Sequence, residues 1–116
     1  MNMLLISKTD IIKQIIKLVA SKLNLELTIL DVNIVSSKFD IIIIEDNLFD
    51  DNFPTKNFAN KLGIITKNTN LFKNVSDFIL PKPFLPSLLF ETLNEQIKLI
   101  KTKPKILSKN NKNIAN

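Results

Sequence analysis

The chain has 116 residues, enough for one domain with a real core and too few for two. It has no cysteine and no histidine, which excludes a disulfide framework, a thiolate zinc site, a phosphohistidine carrier and any Ser-His-Asp or Cys-His enzyme. The net charge of +5 is unevenly placed: residues 98–116 hold six lysines and no acid, while residues 1–97 hold ten lysines against eleven acids. All the basic residues are Lys, and Arg is the better planar fork for phosphates and bases, so a dedicated nucleic-acid reader is not indicated.

Met3–Ile6 reads as a short buried strand, and the start is neither a secretory signal nor a membrane span, which leads to the expectation of a cytoplasmic protein. Ser7-Lys8-Thr9-Asp10 offers helix-capping residues. Ile12, Ile15, Ile16, Val19 and Leu23 then recur at helical spacing, and Asn24 suits the helix end. Leu25–Leu30 alternates weakly as a second strand. Phe39–Glu45 carries four consecutive isoleucines, an unbroken apolar run typical of a central parallel strand covered on both faces. Leu62–Thr66 makes a fourth strand around Gly63, the single glycine, where close packing of another element is expected. Phe78–Leu80 is a brief fifth strand. Pro81 and Pro83 interrupt the chain before Pro86 opens a last helix with a stripe of Leu89, Leu93, Ile97 and Ile100. Residues 101–116 lack periodicity and are expected to form a basic disordered tail after a 1–100 domain. Right-handed crossovers then favour a doubly wound, five-stranded parallel sheet of α/β class.

Three segments in order resemble the receiver domain of bacterial response regulators. Phe78–Leu89 (FILPKPFLPSLL) is similar to the family's Lys-Pro-Phe motif and following helix. Phe39–Glu45 is similar to the aromatic-Asp-apolar run before the phospho-accepting aspartate, and Ile64–Thr66 to the strand ending in Thr or Ser. The resemblance covers residues 2–100 and implies a flavodoxin-like, CheY-like three-layer sandwich. The connections 31–38, 47–61 and 67–77 are short, so the middle helices should be trimmed or lost. Leu71, Phe72, Phe49, Phe53 and Phe58 are then expected to cover the sheet in their place.

Carried over position by position, the resemblance places the family's acidic pair on Ser7 and Lys8, where it is lost. The phospho-acceptor falls on Glu45. The rest of the receiver pocket falls on Thr66 and Lys82, both retained, followed by Pro83 with an implied cis peptide bond. Asp46 is an alternative acceptor, but a continuing strand would turn it to the opposite face, so a bulge would be needed. No metal site is expected; Asp10 and Asp46 are the nearest acids that offer oxygen ligands, and Mg²⁺ enters only if Asp46 is the acceptor. Two readings of the pocket stay open: Lys8 and Lys82 pair with Glu45, setting its carboxylate near Lys82 and Thr66 in a fixed imitation of the phosphorylated state, or Glu45 and Asp46 are solvated acids at a strand end with Lys82 a relic.

The leading expectation is a pseudo-receiver: a signalling module without catalysis or cofactor, acting by protein-protein interaction through the 84–100 helix or by homodimerisation. A working receiver phosphorylated on Asp46 by a histidine kinase is the alternative. Nucleic-acid binding by the Lys-rich tail ranks lower, because the tail has no aromatic residue to stack on bases. An enzyme on this fold ranks last, since only Asn68, Thr69 and Asn70 offer an anion-cradling turn.

Overall fold

Stiff β-branched runs become strands where both of their faces can be covered. In the computed structural model, which describes residues 1–51 and 55–109 with side chains through residue 102, the five runs form one parallel sheet. The elements are β1 (Asn2–Ile6), α1 (Asp10–Lys22), β2 (Glu26–Leu30), β3 (Phe39–Glu45), β4 (Ala59–Thr66), β5 (Phe78–Pro81) and α2 (Pro86–Lys109). The strand order β2-β1-β3-β4-β5 puts β3 at the centre, flanked by β1 and β4.

Register follows from polar ties at one end of the sheet. The Asn2 N–H donates to Asp40 Oδ2 at 3.0 Å, and the Asp40 N–H donates to Asn2 Oδ1 at 2.9 Å. That pairs Ile6 with Ile44, so Ser7 emerges beside Glu45 at the far end. Gly63 lies between Ile43 and Phe78 in the ladder, and a Cβ there would collide with the Phe78 ring. The glycine's role is therefore the close approach its position in the strand suggests.

The two faces of the sheet are covered differently. Met3, Leu5, Ile41, Ile43, Ile65 and Leu80 pack under α1 and α2, which contribute Ile12, Ile16, Val19, Leu89 and Leu93. Leu4, Ile6, Ile42, Ile44, Leu62 and Ile64 point the other way. Among the described residues no α-helix covers them. Two 3-10 helical turns, Asp46–Leu48 and Thr55–Phe58, and the connections around 31–38 and 67–77 take that role.

Phe49, Phe58 and Phe72 pack on this second face as expected, with Val35, Leu48 and Val75 beside them. The Phe49 and Phe72 rings meet edge to face at 5.8 Å between centroids. Leu71 does not join them: it is 67% exposed, because the turn that seats Phe72 turns its neighbour outward. Phe53 lies outside the described residues. Side chains hold the loops where helical ladders are missing. Thr55 Oγ1 donates to Asn33 Oδ1 at 3.3 Å, Ser76 Oγ to the Phe72 carbonyl at 2.8 Å, and the Leu62 N–H to Asp77 Oδ2 at 2.7 Å.

The last helix is longer than its apolar stripe. Its backbone stays helical to Lys109, where the sequence pattern places the start of the tail at residue 101. An apolar stripe is needed to dock a helix, not to form one, and the straight-chain lysines here are good helix formers. The remainder of the expected tail, 110–116, lies outside the described residues.

Candidate functional site

In a doubly wound sheet the carboxyl ends of the strands gather loop side chains into one crevice. Here β1, β3, β4 and β5 deliver Ser7, Glu45, Thr66 and Lys82 to that edge. Alternation along β3 sends Glu45 to the same face as Ile41 and Ile43, beneath the start of α1. The side chain is 4% exposed and fully engaged. Glu45 Oε1 accepts from Ser7 Oγ at 2.6 Å and from Thr9 Oγ1 at 2.9 Å. Oε2 accepts from Lys82 Nζ at 2.9 Å, with Thr9 Oγ1 also 3.0 Å away. A buried charge with these partners is retained, whereas one without them would be costly.

Burial alone would raise the Glu45 carboxyl. The Ser7, Lys82 and Thr9 hydrogen bonds and the Lys82 charge outweigh it and hold the group below the usual glutamate range. Burial likewise works to lower Lys82, but hydrogen bonding and charge from Glu45, with a smaller contribution from Asp46, hold the ammonium above the usual lysine range.

Several expected contacts differ. Lys8 does not pair with Glu45; it is exposed, and the hydroxyls on either side of it, Ser7 and Thr9, provide the contacts instead. Residues two apart in extended chain share a side, which aims both hydroxyls inward and Lys8 out. Thr66 is buried, but its hydroxyl accepts the Asn68 N–H at 2.9 Å rather than reaching Glu45. Asp46 is not turned away from the pocket. The strand stops at Glu45, the 3-10 turn begins, and Asp46 Oδ1 comes back to 3.4 Å from Lys82 Nζ. Asp10 is exposed in the first turn of α1. The Lys82–Pro83 peptide bond is cis, as the resemblance implies.

In sequence, Ser7-Lys8-Thr9-Asp10 reads as helix-capping residues. Thr9 does sit at the N-cap of α1, but its side chain makes no capping bond and serves Glu45. The signal was present as two hydroxyls at alternate positions opposite a strand-end acid.

A divalent cation such as Mg²⁺ requires several hard oxygen ligands in octahedral array. Among the described residues no three acids cluster to hold one, and both Glu45 oxygens already accept hydrogen bonds. The residues present do not fit that ion. Beside the pair, a cleft of about 510 Å³ opens between α1 and the turn after β5. Thr9, Ile11, Ile15, Lys67 and Phe84 are on its walls.

Comparison of the fold with solved structures finds response-regulator receivers. A chemotaxis response regulator of Vibrio cholerae matches with a TM-score of 0.64 at 18% identity, over 82% of this chain and 97% of that one. The receiver domain of a sensor histidine kinase from Pseudomonas aeruginosa, solved with a magnesium ion in its active-site cleft, matches at 0.62 and 16% identity, over 84% and 97%. The ChxR receiver domain of Chlamydia trachomatis matches at 0.62 and 17% identity, over 83% and 97%. No family model and no curated protein matches the sequence. The chain has the CheY-like receiver fold, with one of its two covering layers built from loops and 3-10 turns.

Proposed function

We propose that this receiver fold serves as a cytoplasmic signalling module that acts by binding another protein and does not depend on phosphorylation. The observation that carries the reading is the clasp on Glu45. The residue at the acceptor position is a buried carboxylate already held by an ammonium and two hydroxyls. Lys82 is thereby engaged with a permanent negative charge in the position where the family forms a transient one. Phosphoryl transfer relies on positioning and on neutralising charge on the transferring group. With Ser7 and Lys8 in place of an acidic pair, the usual metal-based means of neutralisation is missing.

Partner binding on this reading uses the exposed side of residues 86–100, where Leu88, Phe90 and Leu99 remain at the surface. The signalling module on this reading is residues 1–100, and the Lys-rich stretch that follows, helical to Lys109, is an appendage to it. A second copy of the chain is the simplest alternative partner.

One observation favours a working receiver: Asp46 is partly exposed and within 3.4 Å of Lys82. Intact mass after incubation with acetyl phosphate and Mg²⁺ separates the readings. We expect no phosphoryl adduct on the folded wild type. An adduct that disappears in Asp46→Ala would make Asp46 the acceptor and overturn the proposal.

A further inference from the structure

Helix α1 carries an apolar ridge that its own fold leaves open. Ile11 and Leu18 are 60% and 51% exposed. Ile11, Ile15, Leu18 and Lys22 succeed one another along one side of the helix. Across from them lie Pro83, Phe84, Pro86 and Phe90. The seam between the two sides holds two hollows, of about 510 Å³ beside Ile11, Ile15 and Phe84 and about 380 Å³ beside Leu18, Pro86 and Phe90. The helix rises about 16 Å from Ile11 to Lys22, so the hollows lie end to end along a seam of that length.

The two ends of this seam differ. At the Glu45 end it meets Lys67 and Lys82. Lys82 gives one N–H to Glu45 and one to Asp46, which leaves the third free. Lys67 is exposed and has no carboxylate partner among the described residues. Both Glu45 oxygens are already engaged, so this end offers hydrogen-bond donors rather than acceptors. Among the residues lining this end, the ammonium groups of Lys67 and Lys82 face the single carboxylate of Glu45, with Asp10 and Asp46 outside the lining, and one added negative charge balances the lining itself.

We propose that the seam binds an amphipathic monocarboxylate, with its acyl chain along α1 and its carboxylate on Lys67 and the free N–H of Lys82. The hollow is in the size range of small-molecule sites, and contiguous exposed apolar side chains beside convergent polar groups are the usual mark of one. The inference stands apart from the signalling reading, because the acetyl phosphate result does not bear on it.

The test is a titration of the full ¹⁵N-labelled chain with sodium dodecanoate, read by amide chemical shifts. Saturable one-site binding is expected, with shifts confined to 9–22, 67 and 82–91. Lys67→Glu and Ile11→Asp should each weaken it at least about tenfold. Both positions are at the surface, and the same spectra report whether each variant is folded; if one is not, the other carries the comparison. Absence of saturation, equal binding of dodecyltrimethylammonium, or wild-type affinity in a folded variant would overturn the proposal. So would concentration-dependent shifts of the same residues without ligand, which would assign the seam to a second copy of the chain.

Discussion

The two faces of one sheet are covered here by different means. On one, α1 and α2 place regular apolar stripes over Met3, Leu5, Ile41 and Ile43. On the other, Leu4, Ile6, Ile42 and Ile44 are equally buried, yet their cover is a set of loops pinned by single side chains such as Asn33 and Asp77. Complete burial of a sheet therefore does not require a complete set of helices, provided that the loops carry aromatic residues and satisfy their own backbone groups. The contrast continues into the site. Glu45 is on the helix-covered face and is clasped; Asp46, one residue on, opens the 3-10 turn and is held only by a longer contact to Lys82.

The largest expected effect tests the two covers directly. Ile43→Ala should cost about 4 kcal/mol and Ile42→Ala about 2 kcal/mol in urea unfolding, because packed helices collapse less readily into a cavity than loops do. Equal losses would mean that the loop cover is as rigid as the helical one. At the site, Lys82→Ala should cost about 3 kcal/mol near neutral pH by leaving Glu45 buried without its cation. Because the Glu45 carboxyl is held low, its contribution is present above the ordinary glutamate range, near pH 4.3, and is lost as pH falls through the lowered value. Because Lys82 is held high, its contribution is present below about pH 10 and is lost as pH rises through the raised value. The stability gap between wild type and Lys82→Ala should thus be widest from about pH 5 to pH 10 and narrow on either side. A gap that does not change with pH would break the link to the pair. The smallest effect belongs to Asp46→Asn, within about 0.5 kcal/mol, as for other partly exposed pairs. A loss there comparable with that of Lys82→Ala would remove the contrast between the two carboxylates.

The helix-covered half was the more legible in sequence. Continuous apolar runs marked β1 and β3, helical spacing marked α1 and the docked part of α2, and Gly63 announced the approach of Phe78. The placing of Glu45 against Lys82 followed from the receiver resemblance and is present at 2.9 Å. The loop-covered half was less legible, since short polar connections do not encode which hydrophobic turns inward: Phe72 does and Leu71 does not. The direction of the Asp46 side chain, not its candidacy, was misread for a related reason. Strand alternation predicts its direction only while the strand continues, and the chain enters a 3-10 turn at that residue. The hydroxyl clasp was missed because Ser and Thr before a helix carry a strong local signal for capping, and the competing partner is 36 residues away in sequence.

On the proposed reading, Glu45 is a buried, permanently charged group at the position where the resemblance puts a receiver's acceptor. A ¹³C-detected NMR titration of the Glu45 side-chain carboxyl, in wild type and in Lys82→Ala, reads that charge state. A midpoint below that of an ordinary glutamate is expected in wild type, moving upward when Lys82 is removed. A wild-type midpoint at or above the ordinary value, unmoved by the substitution, would contradict that reading and leave Glu45 as a solvated acid at a strand end.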